Sequence, residues 1–277
     1  MPLITISRGS TSGGEALARS LSDVLHVPCV GREVVVEAAA RLGISDDALA
    51  QKLERSPGLW DRLTFERRMY IVVVQSVLAE QALEGKLVYH GYAGHLLLTG
   101  VPAVLRVRLI APMEKRVRTV MEQNKLSKGR AEAYIRQVDE GRSRFSHFVY
   151  GVDLQDPAHY DLVVNLEVMS VAGACAVIVE ASRQPEYAVT NAVREKLADF
   201  ALACRARVAL ATHPVGRGLD LEVTASGGIV RIRGEVPESV MLMRASTRWE
   251  EELRAAVESV PGVKNVRLEV EPVSPFR

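Results

Sequence analysis

The sequence predicts an α/β fold: a parallel sheet with flanking helices over residues 1–183, followed by a small α+β domain over 188–273. Three observations predict it. Short apolar runs alternate with helix-patterned stretches as far as about residue 183, as in a parallel sheet covered on both faces. A Gly/Ser-rich turn follows the first run, and "KLVYHG" is a second strand-then-glycine unit. After "QPEY" the pattern changes to one long helical stretch, a hairpin, a helix and an alternating strand.

The elements follow in order. Leu3 to Ile6 is short, apolar and ends at a Gly/Ser loop, which suits a buried strand. "GEALARSLSDVLH" places Leu17, Leu21, Val24 and Leu25 on one helix face. "VPCV" is a second short strand. "REVVVEAAARLG" predicts a helix stopped near Gly43, Ser45 caps the next, and Pro57-Gly58 breaks it. Thr64 to Glu84 is helical again, with Val72, Val73, Val74, Val77 and Leu78 as core packing or a dimer face. "AVLRVRLIA" is the clearest strand; Pro112 then starts a helix, and Ser127 caps the one carrying "RAEAYIRQVDEGRSRF". "YDLVVN" is a strand and Ser170 to Ala181 a closing helix. Beyond the linker, a helix runs to about His213. "DLEVTA" and "GIVRIRGEV" form a hairpin turning at Ser226-Gly227-Gly228. A helix spans Ser239 to Val260, and "VKNVRLEVEP" closes the sheet. The change of pattern predicts that residues 1–183 fold alone.

Composition bounds the function. The chain has 277 residues, 48% of them apolar, enough for two domains with a sizeable core. A net charge of +1 argues against a nucleic-acid partner or simple docking on anionic membranes. Cys29, Cys175 and Cys204 lie far apart and read as buried thiols of a reducing compartment. "YIVVVQSVLA" is too short to span a bilayer, and no basic flank with an apolar signal core opens the chain. A cytoplasmic protein is the expectation. His90, His95, His147, His159 and His213 have no metal-site spacing, so no resident metal ligands are assigned.

The stretch "SRGSTSGGEALA" sits where a strand meets a helix. Gly9 and Gly14 have the spacing of the outer glycines of a phosphate-binding P-loop, but Glu15 fills the slot of its lysine and Ala16 that of its magnesium-binding hydroxyl. Backbone amides of such a turn, the helix dipole and the hydroxyls of Ser10, Thr11 and Ser12 suit an anion. Gly13 and Gly14 allow close approach. Glu15 opposes it, unless it points away.

"ITISRGSTSGGEALARSL…VPCVGREVV", "VYHGYAGHLL", "RVRLIAPMEKRVRTVM" and "VDEGRSRFSHFVYGVDLQDPAHYDLVVN" together resemble the cytidylate kinase-like family over residues 1–183. The resemblance implies a P-loop nucleoside monophosphate kinase fold. It implies transfer of the ATP γ-phosphoryl group to cytidine monophosphate or a similar nucleotide, with magnesium. It also implies Arg116 and Arg142 as catalytic cations, Arg8, Gly9, Ser10, Thr11, Ser12, Gly13 and Gly14 as the ATP-binding loop, and Arg32 and Gly91 on the acceptor side. Arginine suits the task, because its planar fork grips phosphate oxygens. Arg118, with Arg116, matches the family's basic helix before the lid, and Arg144 lies on a face neighbouring that of Arg142. The chain departs from the family at Glu15, Gly31 and Tyr92. These departures favour a second hypothesis, a catalytically impaired nucleotide-sensing protein.

"DLEVTASGGIVRIRGEVPES…AAVESVPGVKNVRLEVEP" resembles a BON domain, with Gly228, Gly234-Glu235-Val236 and Val260 to Val263 as its marks. The resemblance implies a lipid, small-molecule or protein ligand for this domain, and a role in sensing or assembly. A homo-oligomer is left open, and a scaffold at a membrane surface is a third reading.

Overall fold

The structure, a computed structural model, describes residues 2–9, 13–31, 33–34, 40, 64–91, 93–217, 219–237 and 248–273. Ser10, Thr11, Ser12, Arg32 and Tyr92 lie outside these residues, as do most of "REVVVEAAARLG", Ser45 and Pro57-Gly58.

In chain order the elements are β1 (Leu3–Arg8), α1 (Gly14–Leu25), β2 (Cys29–Gly31), α2 (Thr64–Ala82), β3 (Leu87–Gly91), α3 (Gly94–Leu97), β4 (Val104–Ile110), α4 (Met113–Asn124), α5 (Lys128–Tyr150), β5 (Leu162–Asn165) and α6 (Val171–Ser182). There follow α7 (Asn191–Thr212), β6 (Leu221–Ser226), β7 (Ile229–Pro237), α8 (Arg248–Glu258) and β8 (Asn265–Val273). The chain divides into two compact units, Met1–Ala38 with Glu84–Val193, and Ala39–Leu83 with Arg194–Arg277. Helix α2 therefore belongs with the C-terminal elements.

The first unit is built on a parallel sheet ordered β2-β3-β1-β4-β5. The runs read as strands from their apolarity are buried: Leu3, Ile4, Ile6, Leu87, Val88, Leu105, Val107 and Leu109 are all at most 1% exposed. Ile4, Ile6, Val88, Leu105, Val107 and Leu109 share a core with Leu17 and Leu21 of α1 and Ile178 of α6. Each such side chain contributes about 1.5–3 kcal/mol when removed from water. Helix α1 starts where Gly13 adopts φ 84°, a left-handed turn that glycine enters at little cost. Pro112 precedes α4 and Ser127 precedes α5; Val117, Val120, Ala131 and Ile135 form a separate small core that fixes these two helices together.

The second unit holds a mixed three-stranded sheet, β6-β7-β8. Strands β6 and β7 form an antiparallel hairpin, and β8 runs parallel to β7. The turn places both Gly227 (φ 58°) and Gly228 (φ 91°) in the left-handed region, which a two-residue turn matched to strand twist requires. Val223, Val230, Ile232, Val236 and Val266 pack with Trp249, Leu253 and Val257 of α8 and with Leu202, Ala206 and Leu210 of α7. Ala79 of α2 packs with Ala201 and Cys204 of α7. Arg207 donates to Gln75 Oε1 at 2.7 Å, Arg205 pairs with Glu80, and Arg68 pairs with Asp220 at 2.7 Å. Burial pushes the Cys204 thiol up to about 11. Among the described residues, no helix is long and apolar enough to cross a membrane.

Candidate functional site

Parallel strands deliver their last residues to one edge, where ligands of open α/β sheets bind. Ser7 of β1 lies in register with Gly91 of β3 and with Arg108 of β4, so the loop after β1 and the glycine after "VYH" share that edge. A cleft of about 220 Å3 opens there, floored by Ser7, Arg8 and Gly9. Arg108 enters from β4, Arg116 from α4 and Arg142 from α5, with Asp139 and Asp153 also at its wall. Four arginines thus face two aspartates among the described residues, an arrangement suited to a polyanion.

The cations are held differently. Arg116, with its side chain 12% exposed, donates to Asp139 at 2.6 Å and packs beside Gly9; a Cβ placed on Gly9 would meet its guanidinium carbon at 3.7 Å. Arg8 lies over Gly14, where a Cβ would fall 2.0 Å from its Cδ. Glycine at 14 is therefore what lets Arg8 cross the helix start. The Arg8 Nε is buried without a hydrogen-bond partner among the described residues, a donor awaiting an acceptor. Arg8 also lines a second cleft of about 370 Å3, with Gly13, Gly14, Glu15, Ala16 and Arg19 of the loop and α1, and Thr119 and Gln123 of α4. The residue before α1 is Gly13, which has no side chain to cap it, and the amides of a first helical turn suit an anion.

Glu15 is exposed and pairs with Arg19 one turn along at 2.7 Å. Its charge is thereby partly offset. Arg118 and Arg144 are exposed and line neither cleft. Gly91 borders the site by register and likewise lines neither cleft. Asp161 accepts from the Arg106 backbone N–H at 2.8 Å and from its Nε at 3.0 Å, a structural tie between β4 and β5. Burial opposes the ionised Asp161 carboxylate, but the Arg106 bonds outweigh it and hold the group below its ordinary range.

Behind the cleft, the Tyr160 hydroxyl donates to the Leu154 carbonyl at 2.8 Å and lies 3.2 Å from Ser7 Oγ. The Arg108 guanidinium sits 5.5 Å over the Tyr160 ring, and its Nη1 reaches the hydroxyl at 3.4 Å. His95 of α3 stacks against the same ring with centroids 4.7 Å apart. Desolvation, then the charges of His159, Arg106 and Arg108, lower the His95 imidazole to about 4. Sequence reasoning missed Arg108 and Tyr160 and gave Asp139 no role. A signal for Arg108 existed: Arg106 and Arg108 alternate with apolar residues in "VLRVRLI", so both leave the buried face.

Residues 3–168 match the model of the Cytidylate kinase-like family. A cytidylate kinase of Staphylothermus marinus is 25% identical over 62% of this chain and 90% of its own length. A cytidylate kinase of Methanothrix thermoacetophila is 28% identical over 65% of this chain and 98% of its own. Among solved structures, an uncharacterized protein from Eubacterium ventriosum superposes with a TM-score of 0.51, covering 65% of this chain and 98% of that one at 16% identity; the likeness is one of fold.

Proposed function

Because the chain belongs to the Cytidylate kinase-like family, we propose that it transfers the γ-phosphoryl group of ATP to cytidine monophosphate or a similar nucleoside monophosphate. The observation that carries this reading is the four-arginine cleft at the carboxyl edge of the sheet, beside the helix start at Gly13. Phosphoryl transfer depends on positioning and charge stabilisation rather than on a protein nucleophile. Arg116 and Arg142 surround the transferred group, and Arg8 with the loop from Gly9 to Gly14 holds the donor phosphates. Arg32 and Gly91 serve the acceptor side.

The residues present fit a nucleotide polyphosphate: a buried Arg8 Nε lacks an acceptor among the described residues, and Gly14 leaves room for Arg8 to lie across the helix start. Magnesium, which is held mostly by phosphate oxygens and water, neutralises charge on the phosphates when bound. Asp153 is the nearby carboxylate suited to its water shell; Asp139 is engaged with Arg116.

The departures at Glu15, Gly31 and Tyr92 favour a second reading, a nucleotide sensor with impaired catalysis. In both readings, residues 188–273 form a BON-like domain that binds a lipid, small molecule or protein partner. The test is a coupled assay of the full chain with MgATP and CMP, dCMP, UMP or AMP, beside calorimetric binding of each nucleotide. Transfer is expected, and Arg142→Ala is expected to reduce kcat about 100-fold or more. Binding without transfer selects the sensor, and neither binding nor transfer overturns both readings.

A further inference from the structure

We propose that Arg108 is a phosphate-binding residue, supplying from the strand beneath the loop the positive charge that the loop lacks at Glu15. The proposal rests on the kinase-like reading above, and assigns a ligand contact to Arg108, the one cleft arginine to which that reading gives no role.

Three observations converge. The first is position. Arg108 is in register with Ser7, the residue before the loop's Arg8 and Gly9, and it faces the cleft they line. An anion cradled there is reached by Arg108 from below and by Arg116 and Arg142 from the helices. The second is support. The guanidinium rests over the Tyr160 ring, which is 8% exposed, flanked by His95 and anchored through its hydroxyl to Leu154. A planar cation stacked on a fixed aromatic face keeps its fork pre-organised, so little rotamer freedom is lost when it grips phosphate. The third is charge. Arg116 pairs with Asp139 and Arg19 with Glu15, whereas among the described residues no carboxylate pairs with Arg108. A half-buried cation beside another arginine is costly without a counter-ion, and an arriving phosphate removes that cost. In a P-loop the lysine supplies this charge from the loop. Here the corresponding side chain is an exposed carboxylate tied to its own helix, so the charge must come from another element.

The test is calorimetric binding of ATP and of inorganic tripolyphosphate to the full chain. Arg108→Gln is expected to weaken both by about tenfold to a hundredfold, the range of a lost charged hydrogen bond. Arg108→Lys, which keeps the charge, is expected to fold and to retain salt-sensitive tripolyphosphate binding within several-fold. Glu15→Lys is expected to tighten binding more in the Arg108→Gln background than in the wild type, a non-additivity that a merely structural role for Arg108 would not produce. Should Arg108→Gln not fold, Arg108→Met keeps an apolar stem on Tyr160 and carries the same expectation. Unchanged affinities in a folded charge-deleting variant overturn the proposal, as does a wild-type chain that binds no tripolyphosphate. Tripolyphosphate binding that depends on Arg108, without phosphoryl transfer to any nucleotide, upholds the site and overturns the kinase reading instead.

Discussion

At His95 both ring nitrogens are buried without a partner among the described residues, and the imidazole is held near 4. Between pH 6.5 and 4 the unfolded chain takes up a proton here that the folded chain refuses. The associated stability is full above pH 6.5 and is lost as pH falls toward 4, by about 3 kcal/mol at most. His95→Phe keeps a ring against Tyr160 and removes the proton site. Its unfolding free energy is expected to fall less than that of the wild type between pH 6.5 and 4, as denaturant titrations at several pH values will show. Arg116 and Arg142 are nominated by the family resemblance of their segments, and both line the cleft. Arg108 was not assigned, because its meaning depends on register with Ser7, and register is a property of strand pairing between distant segments. Glu15 was legible as a misplaced charge, while its partner Arg19 became clear only once α1 placed the two one turn apart.

At the scale of the element, two serines nominated as helix starts behave differently. The Ser170 Oγ accepts from the Gly173 N–H at 3.1 Å, satisfying an amide at the start of α6. Ser127 precedes α5 without a side-chain cap bond. Ser170→Ala is expected to cost about 1 kcal/mol and Ser127→Ala only a few tenths, read as midpoint shifts in urea. Equal effects would show that the cap bond is not what distinguishes the two helix starts. Strands β1 and β3 were legible because burial on both faces leaves nearly unbroken apolar runs. Even the three-residue β2 was found this way. The hairpin of β6 and β7 was legible because its paired glycines have few alternative uses between two alternating runs.

At the scale of the whole molecule, the local pattern suggests a single cut after the linker, yet α2 shares its unit with α7 and the strands that follow. Periodicity reports which face of a helix is apolar. It does not report which distant helix covers that face, and the packing of Ala79 on Ala201 and Cys204 joins segments more than a hundred residues apart. Residues 1–183 expressed alone retain α2 but lose α7, leaving Ala79 uncovered and Gln75 and Glu80 without Arg207 and Arg205. The fragment is therefore expected to unfold at a lower temperature than the full chain, or to aggregate, because an apolar helix face is left open. Equal melting temperature and nucleotide affinity in the fragment would show that α2 needs nothing from the C-terminal segment.

The same interleaving sets a timetable on the ribosome. Helix α2 leaves the exit tunnel roughly a hundred residues before α7, and at about 5–20 residues per second its covering surface arrives several seconds to tens of seconds later. The strands β3, β4 and β5 emerge during that interval, so the parallel sheet assembles while the helix inserted between its second and third strands still waits for a partner. A nascent chain of this order needs its apolar helix shielded until synthesis is nearly complete.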